Sequence, residues 1–154
     1  KYFLRILILA VLCQPLYAML TAGLNPVFSS VMGLILLYFF RRFPEKQASH
    51  ILLKLTAIVG TFLWGNILGI PHNAPFILIT AVLWGMREKQ YFRPFASAMV
   101  TLCCCVFSPF YIAAALSFLI LYFYNGERGP GNKLVNYLSY PAILLVSCLL
   151  RIVM

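Results

Sequence analysis

The chain has 154 residues, a hydrophobic fraction of 63%, a charged fraction of 10% and a mean hydropathy of +0.94. Soluble domains have ~45–50% apolar and ~25% charged residues, and a domain this small cannot bury so much apolar surface. This composition excludes a soluble globular fold, and also a disordered chain, because disorder requires low hydrophobicity. It predicts an all-α protein, a polytopic transmembrane helical bundle.

The charge balance is strongly positive, with 12 Lys and Arg against 3 Glu and a net charge of +9. The cations lie between apolar runs, where membrane topology places them, so we expect the lipid bilayer and no nucleic acid as a partner. The three acids, Glu45, Glu88 and Glu127, each adjoin a basic residue. Hydrolysis by paired carboxylates and a carboxylate proton relay inside the membrane are therefore excluded.

The apolar runs predict about seven spans, several of them shorter than the ~20 residues that a transmembrane helix needs. A stretch of 30 apolar residues, 95–124, is too long for one span. We divide it at Ser108-Pro109, because proline removes a backbone donor and restricts the residue before it. The expected spans are residues 2–22, 27–40, 51–70, 75–86, 95–107, 109–124 and 134–150.

Every second connecting segment carries Lys or Arg, which predicts a cytoplasmic location for the basic segments. The last span then ends on the opposite side of the membrane. The basic segments are the N-terminal end and residues 41–50, 87–94 and 125–133, whereas residues 23–26, 71–74 and the turn at Ser108 carry no Lys or Arg.

Three polar residues near the first hairpin are candidates for function. Arg5 lies early in the first span and is either an anchor that reaches the interface or a ligand for an anionic group such as phosphate. Gln14 lies deeper, where an amide most often hydrogen-bonds a neighbouring helix. Asn25 precedes proline and is typical of a turn.

The later candidates lie in loops and at the start of the last span. His72 is a weak candidate for a general base, and a solvated loop residue is the simpler interpretation. Arg128 lies in a Gly-rich segment, residues 124–131, which is either a phosphate cradle or a plain flexible loop. Tyr140 precedes Pro141 and is expected to open the last helix or to kink it. The five cysteines have no metal-ligand spacing, so we expect no metal.

The order of these features resembles the TraX family of bacterial plasmid-transfer proteins. Four segments carry the resemblance, and they span nearly the whole chain. They are Arg5 followed by Gln14-Pro15-Leu16-Tyr17, Asn25-Pro26-Val27-Phe28 running to Gly33-Leu34, Tyr124-Asn125-Gly126-Glu127-Arg128-Gly129, and Tyr137-Leu138-Ser139-Tyr140-Pro141.

The resemblance implies a multi-pass protein of the bacterial inner membrane that acetylates the N-terminus of pilin in conjugative pilus or fimbrial biogenesis. It implies acetyl-CoA as the donor, and pilin or another pilus-assembly membrane protein as the partner. We expect five residues to line the site, with Arg5 and Arg128 meeting the anionic groups of acetyl-CoA. These residues are Arg5, Gln14, Asn25, Arg128 and Tyr140.

The chain departs from the family pattern at its expected catalytic residues, so no catalytic residue is assigned. TraX-like proteins usually carry Asp-His on an earlier helix, and Ile143 stands where the family usually has His after Tyr-Pro-x. We therefore expect residues 1–154 to form one transmembrane domain, the C-terminal portion of a larger protein. The alternatives are a non-catalytic scaffold of the pilus or conjugation machinery, an inactive truncated copy, and a transporter.

Overall fold

The structure, a computed structural model, describes residues 2–43, 47–89, 91–106, 108–123 and 132–153, without the side chains of residues 133, 134, 136 and 153. Within these ranges the chain forms seven α-helices and no strand, which confirms the all-α prediction. The helices are α1 (Tyr2–Leu20), α2 (Val27–Arg42), α3 (Ala48–Ile67), α4 (Asn73–Gly85), α5 (Phe92–Cys103), α6 (Tyr111–Tyr122) and α7 (Lys133–Val153).

The helices match the seven apolar runs in order, but three of them, α3, α4 and α5, begin and end earlier than expected. Helix α5 begins at Phe92 because Pro94 lies in its first turn, where the missing N–H of proline needs no partner. Helix α3 begins at Ala48 and ends at Ile67. Gly69 has a left-handed φ of 64°, which reverses the chain, and the N–H of Ile70 donates to the carbonyl of Gly65 at 2.9 Å.

The predicted division of residues 95–124 is confirmed. Helix α5 ends at Cys103, a short 3-10 turn covers Cys104–Val106, and α6 starts at Tyr111. Since the break includes Ser108-Pro109, the two halves fold back on each other, and α5 packs against α6.

Of the two interpretations of Tyr140-Pro141, a helix entry or a kink, the structure contradicts the helix entry. Helix α7 begins at Lys133 and contains Pro141 in its interior, as α1 contains Pro15. Each helix continues through its proline, so apolar packing outweighs the loss of one backbone hydrogen bond in both cases.

The packing is an open row of helices. The order of neighbours is α7, α1, α2, α4, α5, α6, with α3 packed against both α2 and α4. The central contact between α2 and α4 contains the small buried core of Leu36, Phe40 and Ile77, and Trp84 packs at its edge. Helices α6 and α7 lie at opposite ends of the row, so each has one main neighbour.

Helices α1 and α7 run parallel, with five α-helices between them along the chain. The Cys148 thiol donates to the carbonyl of Leu16 at 3.2 Å. One nitrogen of Arg151 donates to the carbonyls of Met19 and Leu20 at 2.7 and 2.5 Å. Arg151 thereby satisfies carbonyls that the end of α1 leaves unpaired, and its positive charge opposes the negative end of the helix dipole.

Two helices, Tyr2–Leu20 and Ala48–Ile67, are long and apolar enough to cross a membrane. Four shorter apolar helical segments have 10–17 residues: Asn73–Gly85, Phe92–Val106, Tyr111–Tyr122 and Tyr137–Ile152. Many large apolar side chains are exposed, among them Val106 at 90%, Phe110 at 83% and Phe123 at 81%. Apolar surface of this extent marks a membrane or protein contact.

The contacts divide the molecule into two ends. The loop end contains the connections 20–26, 68–72 and 108–110, which are joined by contacts such as Ser29 Oγ to the Pro71 carbonyl at 3.2 Å. The basic end contains the start of α1 and the end of α2, where Tyr2 lies beside Arg41. The arginines and lysines of residues 87–93 share the basic end, because Trp84 packs on Phe40.

Candidate functional site

A hydrogen-bonded network at the loop end joins two of the predicted site residues, Gln14 and Asn25. The side-chain nitrogen of Gln14 donates to the Gly23 carbonyl, and its oxygen accepts from the Asn25 N–H, both at 2.9 Å. The side-chain nitrogen of Asn25 donates to the Ala10 carbonyl at 2.7 Å, and its oxygen accepts from the Val27 N–H at 3.0 Å. The sequence suggested that Gln14 bonds to a neighbouring helix. In the structure it bonds instead to the turn that follows α1.

Asn25 is fully buried, and all of its side-chain polar atoms are engaged in this network. An amide in this setting fixes the turn from α1 to α2, as the Asn-Pro sequence predicted. Gly23 completes the turn with a φ of 114°. A Cβ at this position would lie 3.0 Å from the Gly69 carbonyl oxygen, so the first two loops of this end are in contact.

A second buried amide, Asn73, lies where α4 begins. Its side-chain nitrogen donates to the Thr61 carbonyl at 3.2 Å and more weakly to the Phe62 carbonyl at 3.4 Å. Its side-chain oxygen is buried and has no hydrogen-bond partner among the described residues. The side chain fits because Gly65 has no Cβ, since a Cβ there would overlap the Asn73 amide.

Gly65 and Gly69 have the four-residue spacing of small residues that lets helices approach closely. Only Gly65 makes such a close contact. Gly65 admits Asn73, whereas a Cβ on Gly69 would meet no atom within 4 Å. Gly69 is required for its left-handed backbone instead.

The most chemically distinctive contact in the described part of the chain pairs His72 with Tyr111. His72 Nδ1 and the Tyr111 hydroxyl are 2.6 Å apart, and the rings meet edge to face at 5.8 Å. His72 is exposed and adopts a left-handed backbone, with a φ of 57°. Such a conformation costs ~1–3 kcal/mol in a residue other than glycine and is often found at functional sites.

Sequence reasoning found His72 and missed Tyr111. The two residues are 39 positions apart, and a tyrosine at the start of an apolar helix looks like an ordinary interface residue. Only the fold brings the first turn of α6 to the loop before α4.

Arg5 lies at the other end of the molecule from this pair. It lines an open groove of about 370 Å³ between α1 and α7, together with Ile8, Leu9, Leu12 and Tyr137. Arg5 precedes Gln14 by nine residues, or ~13 Å along the helix. The structure therefore does not bring Arg5 into contact with the network of Gln14 and Asn25.

Tyr140 occupies a third position, between α1 and α7. It lies near Cys13 and Tyr17 of α1, and its hydroxyl is buried without a hydrogen-bond partner among the described residues. Arg128, the remaining predicted site residue, lies outside the described residues. Of the four expected site residues that the structure describes, only Gln14 and Asn25 are hydrogen-bonded to each other.

Comparisons with known proteins give one match. The family model described as "TraX protein" matches residues 1–151, which is essentially the whole chain. The chain belongs to the TraX family. The comparisons with curated proteins and with solved structures return no match.

TraX family membership suggests a role in conjugation and pilin processing, in proteins that are membrane-associated. Among the described residues, no three His, Cys, Asp or Glu side chains lie close enough to hold a metal ion. Ile143, which stands where the resemblance implies a His, has a side chain that is 64% exposed on α7. The His72–Tyr111 contact is therefore the candidate reactive pair of this TraX chain.

Proposed function

We propose that this chain is a TraX-type membrane acetyltransferase that transfers an acetyl group from acetyl-CoA to the N-terminus of pilin in pilus biogenesis. The observation that carries the proposal is the family match over residues 1–151. Because no catalytic residue follows from the family pattern, the roles below are assigned from chemistry and position.

The proposed topology has seven spans in the bacterial inner membrane, with the basic end in the cytoplasm. The clustering of Arg41, Arg42, Arg87 and Lys89 at one end of the helices supports this orientation. The one described cation at the loop end, Arg151, bonds to carbonyls at the end of α1. The short helices remain compatible with a membrane because a bilayer thins around them at modest cost.

The donor is proposed to bind at the basic end. Arg5 is exposed there beside an apolar groove, and a guanidinium group matches phosphate oxygens in charge and geometry. Arg128 is proposed as a second phosphate ligand from the sequence alone.

The acceptor amine is proposed to meet the loop end, with His72 as its proton acceptor. When Nδ1 carries the ring proton and donates it to the Tyr111 oxygen, the lone pair on Nε2 is available. The amine nitrogen attacks the thioester carbonyl carbon, the carbon–sulfur bond breaks, coenzyme A leaves as the thiolate, and the amine proton moves to Nε2. Tyr111 orients the imidazole in this scheme. In this scheme the pantetheine arm of acetyl-CoA would reach from the basic end toward the loop end, so that the thioester meets the amine beside His72.

The test is mass spectrometry of the pilin N-terminus in cells that carry the full TraX chain or its variants. His72→Ala is expected to lower the acetylated fraction at least tenfold, because general-base catalysis contributes ~10²–10⁴ in rate. Tyr111→Phe is expected to have a smaller effect. Tyr91→Phe is the matched control, because Tyr91 lies at the basic end and contacts Tyr122.

A scaffold function is the second candidate, and the exposed Ile143 at the usual histidine position favours it. A scaffold would associate with pilin without acyl transfer. Pilin that is unacetylated in cells with the wild-type chain, yet co-purifies with it, would replace the acetyltransferase proposal by the scaffold. Unchanged acetylation in His72→Ala would retain the transferase and remove only the role of His72.

A further inference from the structure

An open groove between α1 and α2 lies at the basic end, away from the Arg5 groove and the His72–Tyr111 pair. Its volume is about 600 Å³, and its walls are Tyr2, Phe3, Leu34, Ile35, Tyr38 and Arg41. A second cavity, of about 210 Å³, shares Tyr2 and Leu34 with it and extends toward Ser30 and Thr80. We call the two together the α1–α2 groove.

The α1–α2 groove has the depth of one membrane leaflet. On α2 its lining runs from Arg41 back to Ser30, which is 11 residues or ~16 Å of helix. The hydrocarbon core of a bilayer is ~30 Å thick, so one leaflet contributes half of that. A groove of this depth, with mostly apolar walls, fits an extended acyl chain.

The charge is concentrated at the mouth of the groove. Arg41 is exposed there, and the mouth also contains Tyr2 and Tyr38, which are 60% and 67% exposed. Arg41 and Arg42 are both exposed in the last turn of α2, so this end of the helix is positively charged. Guanidinium and phenol groups at the level of the headgroups donate hydrogen bonds to phosphate.

We propose that the α1–α2 groove binds one anionic phospholipid from the leaflet at the basic end. Its phosphate contacts Arg41, with the hydroxyls of Tyr2 and Tyr38 within the same mouth, and one acyl chain follows the groove past Leu34. The inference rests on the membrane orientation in the proposed function but not on acetyl transfer. An absence of pilin acetylation would therefore not contradict the proposal that the α1–α2 groove binds a lipid.

The experiment is native mass spectrometry of the full chain, released from detergent micelles with added lipid. The probes are phosphatidylglycerol and phosphatidylcholine with identical acyl chains, so they differ only in the headgroup, which is anionic in the first and zwitterionic in the second. One bound phosphatidylglycerol is expected at concentrations where phosphatidylcholine is not retained. Equal retention of both lipids would overturn the proposal.

The charge of Arg41 is tested against that of its neighbour. Arg41→Gln is expected to weaken phosphatidylglycerol binding about fivefold, the contribution of one cation near an anionic lipid surface. Arg42→Gln removes the same charge from the same helix turn, but Arg42 is not among the side chains that line the groove. An equal loss in both variants would indicate general surface charge and overturn the site.

The acyl part is tested separately from the phosphate. Leu34→Trp narrows the groove and is expected to reduce lipid retention, whereas Leu52→Trp, at a side chain 65% exposed on α3, is the control. Circular dichroism of each variant confirms that the helices are intact. Glycerol phosphate, which offers the headgroup without acyl chains, is expected not to compete. If glycerol phosphate competed at equal concentration, the groove would bind phosphate without acyl chains. That result would contradict the proposal of a lipid site.

Discussion

At the residue scale, the polar side chains of the loop end differ in how they are bonded and how far they are exposed. Asn25 has every side-chain polar atom bonded to the surrounding backbone, so it holds the first turn in place. His72 bonds to Tyr111 through one ring nitrogen, and its side chain is exposed. Residue type alone does not separate these cases, because both residues lie beside a proline in a short loop.

We expect Asn25→Ala to destabilise the chain by ~1–3 kcal/mol, because it leaves the Val27 N–H without its acceptor and removes the buried side-chain bond to the Ala10 carbonyl. Thermal unfolding in detergent, followed by circular dichroism, measures the change. Asn66→Ala is the control, since Asn66 bonds only to the Phe62 carbonyl of its own helix and is exposed. An equal effect in the two variants would contradict the structural role of Asn25.

At the element scale, two small contacts decide how neighbouring helices meet. Helices α3 and α4 approach because Gly65 makes room for the Asn73 side chain. Helices α1 and α7 stay parallel and in register because Arg151 reaches the carbonyls that end α1. In both pairs a polar group bonds to backbone, which is the kind of contact that fixes a helix pair where apolar packing alone is unspecific.

Gly65→Ala is expected to destabilise the chain by ~1–3 kcal/mol, because the new Cβ would overlap the Asn73 amide and force α3 and α4 apart. Gly60→Ala is the matched control on the same helix, where a Cβ meets nothing within 4 Å. It is expected to raise the unfolding temperature through helix propensity.

The double variant Gly65→Ala/Asn73→Ala isolates the steric term. It is expected to recover part of the loss, because the side chain that the Cβ strikes is gone. A double variant whose destabilisation is the sum of the two single ones would show that Gly65 and Asn73 do not interact.

At the scale of the whole molecule, the open row of helices leaves large apolar side chains exposed on most elements. The two long apolar helices are candidate spans. In the proposed seven-span topology the short helices also cross the membrane, and successive helices alternate in direction. The basic end and the loop end then face opposite aqueous compartments, which separates the proposed donor and acceptor regions.

Single cysteines at the two ends test this topology. In a cysteine-free background, Gln47→Cys and Lys89→Cys are expected to resist a membrane-impermeant maleimide added to spheroplasts, because the proposal places both in the cytoplasm. Ala22→Cys, at the loop end, is expected to be labelled. Labelling of all three positions in intact spheroplasts, with a cytoplasmic marker protein unlabelled, would contradict the seven-span topology.

Hydrophobic runs and turn residues determined the helices. Seven apolar runs predicted seven helices, and Ser108-Pro109 correctly divided residues 95–124, because these features act within a few residues of chain. The same local signals left Tyr140-Pro141 as either an entry to α7 or a kink in it. Only the structure placed this proline inside the helix, since a proline does not end a helix whose neighbours supply packing.

The site depended on contacts between distant segments. The sequence alone determined an all-α chain, its family resemblance and the alternation of its charged segments, since composition and short-range pattern encode all three. Only the tertiary structure decided that Tyr111 meets His72, that Arg5 lies away from Gln14, and that Arg151 closes the end of α1. Each of these depends on which helices are neighbours, and hydropathy contains no information about lateral order within a layer of similar apolar helices.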